Sequence, residues 1–401
     1  MVTTPEGIGV FVGLDVGKGE HHAHALTPAG KTAFDKRLPN SEAKLREVFT
    51  KLAAKHGTVL LVVDQPASIG ALPLAVARDT GCQVAYLPGL TMRRIADLYP
   101  GEAKTDARDA QVIADAARTM PHTLRDLAPD DETTAALQLI VGHDDDLAAE
   151  ATRFRNRLRG LLTQIHPGLE RVLGPRLDHP AVLRLLEQFG SPAALRKAGR
   201  RQLINLARSK APRMAERLVS DIFTALDEQT VVVPGTDAAA IVLPNLAASL
   251  RTTLEQRRAV EHEITTLLEA HPLHKVLTSM PGIGVRTGAR ILIDVGDGSA
   301  FASAAHLAAY AGLAPATRNS GSSIRGEQPS RRGNKQLKRA FFLAAFASLS
   351  HPPSRTYYDK KIKQGKRHGQ ALLCLARRRA DVLFAMLRDG TLYQPPTPST
   401  A

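Results

Sequence analysis

Two short apolar runs, each ending at an aspartate, place the strongest constraint on the fold of this chain. Residues 10–16 run through Val-Phe-Val-Gly-Leu to Asp15, and residues 58–64 place four aliphatic residues directly before Asp64. Apolar runs of this length predict buried strands. A buried carboxylate is costly unless it is paired or bound to a metal. The two runs therefore predict a sheet that carries carboxylates at its strand ends.

The first 128 residues predict an α/β domain with a mixed sheet. Strand patterns continue at residues 21–27 and 31–38, and a helix near 70–78 precedes a strand near 83–87. Three strands in a meander, followed by alternating helix and strand, indicate a mixed sheet with helices on its faces.

Two further carboxylates lie at the start of a predicted helix that runs to about Arg118. Asp106 and Asp109 are three residues apart and share one helical face, although the helix dipole alone also favours acids there. Together with Asp15 and Asp64 they would supply the hard oxygen ligands that Mg²⁺ or Mn²⁺ prefers. Clusters of this kind hold the ions of two-metal phosphoryl transfer.

Three histidines, His21, His22 and His24, lie in the second predicted strand. Alternation places His22 and His24 on one strand face, and no acid or cysteine neighbours them in sequence. We therefore predict that they face solvent, and we do not count them as metal ligands.

From residue 129 to 270 the pattern changes to long helices. Apolar residues step by four and three along a heptad seam, which predicts a coiled coil, either antiparallel or between subunits. A helical insertion at about residues 168–235 separates the two arms. The seam residues are Leu147, Ala151, Phe154, Leu158, Leu161 and Ile165, with a mate at Leu246, Leu250, Leu254, Ile264 and Leu267.

The net charge of +14 is concentrated in one part of the chain. Residues 318–379 hold 16 Lys and Arg against two acids, and the rest of the chain is balanced. The positive charges of such a region repel each other unless a polyanion neutralises them. Contacts with nucleic-acid phosphates, accompanied by counterion release, supply that neutralisation. This charge distribution predicts a nucleic-acid partner.

Residues 271–394 predict a mostly helical third domain. Gly282 and Gly284 lie in a Pro-Gly-Ile-Gly turn that precedes a helical pattern, as in a helix-hairpin-helix, whose backbone N–H groups bind DNA phosphate. A basic, serine-rich loop at residues 312–326 follows. Next comes a predicted helix beginning near Asn334, whose phenylalanines we assign to the core rather than to base stacking. The basic candidates for nucleic-acid binding are Arg318, Arg325, Arg331, Arg332, Lys335, Lys338 and Arg339.

Composition restricts the location of the protein. The two cysteines, Cys82 and Cys374, lack the spacing of a disulfide framework or a zinc site. Neither a signal pattern nor an apolar run of the roughly 18 residues that a membrane helix needs is present. We expect a cytoplasmic protein without a membrane partner, and the Pro/Thr/Ser-rich residues 395–401 predict a disordered tail.

In this order, these motifs resemble the insertion-sequence-110 family of DEDD transposases over nearly the whole chain. The resemblance rests on Asp15 in Gly-Leu-Asp-Val, Asp64 after its strand, Lys-Thr-Asp-Ala-Arg-Asp at 104–109, Pro-Gly-Ile-Gly, and Gly-Leu-Ala-Pro followed by Ser-Gly. It implies a RuvC-like (RNase H-like) domain, a coiled coil and a transposase domain with a catalytic serine. It also implies a structured bridge RNA that pairs with donor and target DNA.

Carried onto this sequence, the resemblance assigns divalent metal to Asp15, Asp64, Asp106 and Asp109 and the nucleophile to Ser320. Asp64 departs from the glutamate in the family's name, which shortens the reach to the metal by one methylene. Ser322 and Ser323 lie close to Ser320 and are chemically equivalent to it. A serine ester conserves phosphodiester bond energy, whereas metal-activated water would only cut the strand.

The predicted function is therefore a serine-dependent, metal-assisted DNA recombinase that acts as a dimer or tetramer with a guide RNA. One alternative is a metal-only nuclease of the Holliday-junction-resolvase type, in which the aspartates perform all the chemistry. Another is a non-enzymatic, architectural DNA-binding protein that uses the helix-hairpin-helix and the basic region.

Overall fold

The computed structural model describes residues 7–65, 68–99, 105–126, 132–320, 324–328 and 332–395, with the backbone alone at 68, 90, 126, 132, 316–320 and 324–328. The chain divides into two compact units, Met1–Asp131 and Glu132–Ala401. The predicted domain limits at 128, 270 and 394 stay predictions, and residues 396–401 of the predicted tail lie outside the described residues.

The first unit is built on a six-stranded mixed sheet with strand order β3-β2-β1-β4-β5-β6. β1, β2 and β3 form an antiparallel meander, β4 and β5 continue parallel to β1, and β6 pairs antiparallel at the far edge. The strands are β1 Val10–Asp15, β2 Glu20–Leu26, β3 Thr32–Pro39, β4 Val59–Val63, β5 Gln83–Tyr86 and β6 Arg125–Asp126.

Helices cover both faces of this sheet because the central strands are apolar on both sides. Val10, Val12 and Leu14 belong to a buried cluster on one face, and Phe11 belongs to a second cluster on the other. The sequence-predicted mixed sheet with helices on its faces is therefore confirmed. The helices are α1 Glu42–His56, α2 Ala71–Asp79, α3 Gly89–Ala96 and α4 Asp106–Thr119.

The second unit is helical apart from one hairpin of strands β7 Ala316–Ser320 and β8 Ile324–Gln328. Its first helices are α5 Glu132–Ile165, α6 Pro167–Leu173, α7 Pro180–Gln188, α8 Pro192–Arg208, α9 Ala215–Asp227 and α10 Thr236–Ala270. The others are α11 His274–Ser279, α12 Val285–Val295, α13 Ala304–Tyr310, α14 Lys335–Ala347, α15 Pro352–Lys363 and α16 His368–Asp389.

The two long helices α5 and α10 pack against each other within the chain. Arg257 of α10 contacts Asp144 of α5, and Gln229, shortly before α10, donates to the carbonyl of Ile165 at the end of α5. The helices are thus antiparallel, with Leu158 and Leu250 buried in a common cluster. Supercoiling of this pair, as a coiled coil requires, stays a prediction.

The C-terminal helices share one core that also includes residues of α5 and α10. Phe341 of α14 is buried in it, as expected, and Phe342 packs against it. The core assignment is wrong for Phe346, which is 54% exposed, and the neighbouring Leu343 is 46% exposed. No helix within the described ranges is both long enough and apolar enough to cross a membrane.

Candidate functional site

Strand register brings two of the predicted carboxylates to one edge of the sheet. β1 and β4 are parallel, and Leu14 pairs with Val63. Asp15 and Asp64 are the next residues on each strand, so they lie side by side at the carboxyl ends, about 5 Å apart along the hydrogen-bonding direction. Alternation points both side chains to the sheet face that α4 covers.

Gly13 determines how closely α4 approaches β1. A Cβ atom at Gly13 would lie 2.1 Å from the carbonyl oxygen of Ala110 and 2.4 Å from the nitrogen of Ala114. The backbone of α4 therefore lies directly on β1, which only a residue without a side chain permits. Because Asp109 precedes Ala110, this contact brings Asp109 towards the edge that carries Asp15 and Asp64.

The electrostatics of Asp64 agree with this placement. Burial raises the pKa of Asp64, and the nearby negative charge of Asp109 adds to the rise. The Oδ1 atom of Asp64 is buried without a hydrogen-bond partner. An orphaned carboxylate oxygen beside a second carboxylate is the environment that a divalent cation would neutralise.

Asp106 begins α4 and shares its first turn with Asp109, but Asp106 is exposed. Thr105 caps this helix by accepting a hydrogen bond from the N–H of Arg108 at 3.3 Å. Among the described residues, no three His, Cys, Asp or Glu side chains are already arranged to hold a metal. The structure thus brings Asp15, Asp64 and Asp109 to one edge without closing them into a ligand cluster.

Asp115, a fifth acid of this region, has a structural explanation. The Tyr99 hydroxyl donates to Asp115 at 2.5 Å, and Arg118 pairs with the same carboxylate at 2.6 Å. Burial, followed by this hydrogen bond, raises the pKa of Tyr99 to about 12. Arg108 also donates to the carbonyl of Tyr99 at 3.0 Å. These contacts fix Tyr99, shortly after α3, against α4, whose first turn carries Asp106 and Asp109.

The histidines of β2 contradict the prediction that they face solvent. His21 and His24 are buried, and Asp35 on the adjacent strand accepts a hydrogen bond from His22 at 2.7 Å. His21 accepts from the N–H of Gly17 at 3.1 Å, and burial lowers its pKa. The prediction was wrong because the acidic neighbour lies across the strand pair, where sequence proximity does not reveal it.

In the second unit, the serine-rich segment forms a β-hairpin rather than the expected loop. Arg318 pairs with Gly326, Asn319 with Arg325, and Ser320 with Ile324, so Ser320 is the last paired residue of β7. The side chains of Ser320, Arg318 and Arg325 lie outside the description. Gly321, Ser322, Ser323 and Arg331 are outside the described residues altogether.

Two glycines bring the ends of this hairpin together. A Cβ atom at Gly333 would lie 2.6 Å from the nitrogen of Gly312, and one at Gly312 would lie 2.4 Å from the carbonyl oxygen of Arg332. Both glycines have positive φ. This neck, defined by Gly312 and Gly333, fixes where the chain leaves the helical core for the hairpin and where it returns.

Asn334 secures the neck to the core. Its N–H donates to the carbonyl of Tyr310 at 2.7 Å, and its Oδ1 caps α14 by accepting from the N–H of Leu337 at 3.0 Å. Burial raises the pKa of the adjacent Asp294, an effect that the charge of Arg290 and a hydrogen bond from Asn334 partly offset. Sequence reasoning missed Asp294, although its partner Asn334 follows the glycine of the neck directly.

The residues of the predicted helix-hairpin-helix form α11, a short turn and α12, and their role as that DNA-binding motif stays a prediction. Gly284 is exposed at the N-cap of α12, where a phosphate can approach. Gly282 has φ +84°, and a Cβ atom there would lie 2.4 Å from the carbonyl oxygen of Ala344, so packing against α14 already requires a glycine. The buried Arg379 donates a hydrogen bond to the carbonyl of Pro281 and so stabilises this turn from the interior of the unit.

An ion-pair network links α12 to the long helices. The carboxylate of Asp144 accepts hydrogen bonds from Nε and Nη2 of Arg257 at 3.0 Å each, and its Oδ2 lies 3.0 Å from Nε of Arg286. Arg290 pairs with Asp145 at 2.5 Å. Arginines after the Pro-Gly turn thus serve the packing of the unit, a role that the sequence did not indicate.

The described basic candidates lie on α14 and directly before it. Lys335 and Arg339 are exposed on this helix, Lys338 is half-buried, and Arg332 is exposed close to the neck. The basic face therefore begins where the serine hairpin rejoins the core. Its binding of nucleic acid stays a prediction.

Known proteins match this chain over almost its whole length. A family model for DEDD transposases of the IS110 type, described as a transposase, matches residues 12–167. A second, described as "Transposase IS116/IS110/IS902 family", matches residues 274–359. The first match includes most of β1 and all of β4 and α4, and the second includes α11, α12 and the serine hairpin. The match to residues 12–167 also supports the RNase H-like fold that the resemblance implied for the first unit.

Three similar proteins of insertion elements cover the chain nearly end to end. The IS110 uncharacterized 43.6 kDa protein of Streptomyces coelicolor is 70% identical over 98% of both chains. The IS116 uncharacterized 44.8 kDa protein of Streptomyces clavuligerus is 38% identical over 98% of both. The IS900 uncharacterized 42 kDa protein of Mycobacterium paratuberculosis is 36% identical over 98% of this chain and 99% of that protein. On this fold and these matches, the chain belongs to the IS110 family of transposases.

Proposed function

We propose that this transposase cuts and rejoins the DNA strands of an insertion element through a covalent bond between Ser320 and DNA. The observation that carries the proposal is the position of Ser320 at the end of β7, in a hairpin whose two ends the glycine neck holds together. A nucleophile on a hairpin fixed at its base keeps one position relative to its helical unit. Such positioning is a large part of the catalysis of phosphoryl transfer.

The chemistry balances without an external energy source. The Ser320 oxygen attacks a backbone phosphorus, its proton passes to a base, and one phosphorus–oxygen bond of the DNA breaks to release a deoxyribose hydroxyl. A hydroxyl of the strand to be joined then attacks the phosphoserine, so that a phosphodiester forms and the serine is restored. The number of phosphoester bonds is unchanged, and resealing therefore needs no ATP.

A divalent cation, Mg²⁺ or Mn²⁺, fits the carboxylate edge of the first unit. Asp15, Asp64 and Asp109, joined by Asp106 from the same helical turn, would hold it, and it would supply Lewis-acid stabilisation of phosphoryl charge. The buried, unpartnered Oδ1 of Asp64 supports this assignment. The chain's own cations, with Arg318, Arg325, Arg331 and Arg332 as candidates, would stabilise the charge that develops on the phosphoryl oxygens.

DNA is the substrate in this proposal, a structured bridge RNA is the guide, and the active form is a dimer or tetramer. The DNA assignment follows from membership of a transposase family, which also argues against a non-enzymatic architectural role. The RNA and the oligomer rest on the family resemblance. Adding the transcript of the element's flanking DNA should convert unguided binding into cleavage at the sites with which that transcript pairs.

Cleavage assays on paired variants test the mechanism. Asp15→Ala and Ser320→Ala should both abolish strand transfer on DNA that carries the element ends. Asp97→Asn, at an exposed acid of the same unit, and Ser249→Ala, at a hydroxyl that bonds its own helix backbone, should retain it. Cleavage that is lost in Asp15→Ala but kept in Ser320→Ala would establish the metal-only nuclease instead.

A further inference from the structure

Three aromatic side chains form a chain of edge contacts on the surface of the second unit. Phe346 of α14 meets His368 at the start of α16 with a centroid distance of 6.3 Å and an interplanar angle of 87°. His368 meets Tyr358 of α15 at 5.7 Å and 75°, and the Tyr358 hydroxyl and His368 Nδ1 are 2.7 Å apart. These contacts hold the rings in fixed orientations.

The exposure of Phe346 is not explained by the packing of α14. Phe341 on the same helix is 1% exposed in the core, whereas Phe346 keeps 54% of its surface exposed. Leu343 is 46% exposed one turn before it, and the exposed Arg339 lies a further turn towards the N-terminus. α14 thus presents a second, outward face of mixed apolar and basic character.

The surroundings of the rings are strongly cationic. Residues 352–378 contain eight Lys and Arg and a single acid, Asp359. That acid is paired with Arg355 at 3.0 Å, so it does not offset the other charges. Lys363 is exposed at the end of α15, and Lys366 and Arg367 are exposed directly before His368 at the start of α16. The partner that complements this surface is a polyanion that also offers flat apolar faces.

We propose that Phe346 and His368, supported by Tyr358, form a stacking platform for unpaired bases of a DNA strand. Lys363, Lys366 and Arg367 neutralise the phosphates of that strand. Bases within a duplex are already stacked on each other, so rings on the protein surface reach them only where the strands are separated. The inference rests on the proposed function, because strand exchange is what exposes unpaired nucleotides to this surface.

The test measures binding of the full chain to short DNA oligonucleotides that carry 2-aminopurine, a base whose fluorescence falls when it stacks. Phe346→Leu keeps an apolar side chain but removes the ring, and it should weaken single-strand binding by about tenfold and abolish the quenching. Phe346→Tyr restores a ring and should bind within about twofold of the wild type. Ile241→Ala, at a residue that is 71% exposed on α10, is the matched control and should change neither signal.

Other occupants give different results, and each would overturn the proposal. Equal binding and equal quenching in Phe346→Leu would show that no base stacks there. Dissociation of an oligomer by Phe346→Leu, seen by sedimentation with DNA affinity unchanged, would make this face a subunit interface. An RNA of the same sequence that binds more than tenfold tighter than the DNA would assign the platform to RNA. Ser320→Ala should leave the binding intact, so a failed serine mechanism and a failed platform remain distinguishable.

Discussion

Replacing Gly13 by alanine tests whether direct backbone contact between α4 and β1 builds the carboxylate edge. The added Cβ would lie 2.1 Å from the carbonyl oxygen of Ala110 and 2.4 Å from the nitrogen of Ala114. A carbon–oxygen contact normally lies near about 3.3 Å. The helix must therefore retreat by about 1 Å, because both atoms belong to its main chain and no side-chain rotation can relieve the overlap.

The retreat should reduce both stability and activity. Overpacking of a core usually lowers the free energy of unfolding by about 1–3 kcal/mol. We expect Gly13→Ala to lie near the upper end of that range, because the added Cβ overlaps two main-chain atoms of α4. For a unit of this size, a loss of about 3 kcal/mol lowers the unfolding temperature by roughly 10 °C. Asp109, next to Ala110, moves with the helix, and a misplacement of about 1 Å can cost about 100-fold in rate.

Urea unfolding and DNA strand transfer, measured at a temperature where the variant is folded, give the two readouts. Gly19→Ala is the matched control, because Gly19 lies in the turn between β1 and β2 and a Cβ atom there meets nothing within 4 Å. It should unfold within about 0.5 kcal/mol of the wild type. If Gly13→Ala matches Gly19→Ala in both assays, α4 does not depend on this contact.

Three further predictions concern the neck, the packing of Tyr99 on α4, and the carboxylate edge. Gly333→Ala should lower the free energy of unfolding in urea by about 2–3 kcal/mol, because a Cβ atom there combines a positive φ with a close contact to Gly312. Gly390→Ala, where φ is also positive but a Cβ atom meets nothing within 4 Å, should lower it by only about 1 kcal/mol. Equal losses would show that the close approach of Gly312 and Gly333 does not stabilise the unit. The pKa of Tyr99 is raised from 10.0 to about 12 in the folded protein. The contribution of its protonated hydroxyl to the free energy of unfolding is therefore complete below pH 10 and is lost as the pH rises to 12. The stability gap between wild type and Tyr99→Phe should therefore narrow over that interval, and a constant gap would contradict the assignment. Because burial raises the pKa of Asp64, its ionised form costs stability at neutral pH. Asp64→Asn should thus raise the melting temperature of the metal-free protein and remove the further rise that Mn²⁺ gives, and a persistent Mn²⁺ effect would exclude Asp64 as a ligand.

Hydrophobic patterning predicted the first unit well. The runs ending at Asp15 and Asp64 form the buried strands β1 and β4, as their apolar patterns predicted. Asn334 marked the start of α14, because its short polar side chain suits the residue before a helix and accepts a hydrogen bond from the N–H of Leu337. These features depend on neighbouring residues, which the sequence displays directly.

Features that depend on distant residues were missed. The partner of His22 is Asp35 on the next strand, and the burial of His21 and His24 reflects packing that alternation alone does not reveal. The serine-rich segment pairs as a hairpin, and the close approach of Gly312 and Gly333 at its base joins residues that are distant in sequence. Gly282 resembled a DNA-contacting glycine, yet its close neighbour is the backbone of α14, more than 60 residues away.

The side of α14 that carries Phe346 shows a limit of periodicity. The adjacent phenylalanines at 341 and 342 suggested a single apolar face, so all of them were assigned to the core. The helix in fact buries one face and leaves Leu343 and Phe346 outside. That an apolar residue lies outside the core can be recognised only once the residues that pack against its helix are known.

The central claim, a covalent bond between Ser320 and DNA, is tested most directly by isolating and mapping the protein–DNA adduct. Trypsin leaves Ser320, Ser322 and Ser323 together on the peptide between Arg318 and Arg325, so fragmentation of that peptide must place the nucleotide. We predict an adduct on Ser320 that is absent in Ser320→Ala and present in Asp97→Asn. A nucleotide on Ser322 or Ser323, or efficient strand transfer without any adduct, would contradict the account.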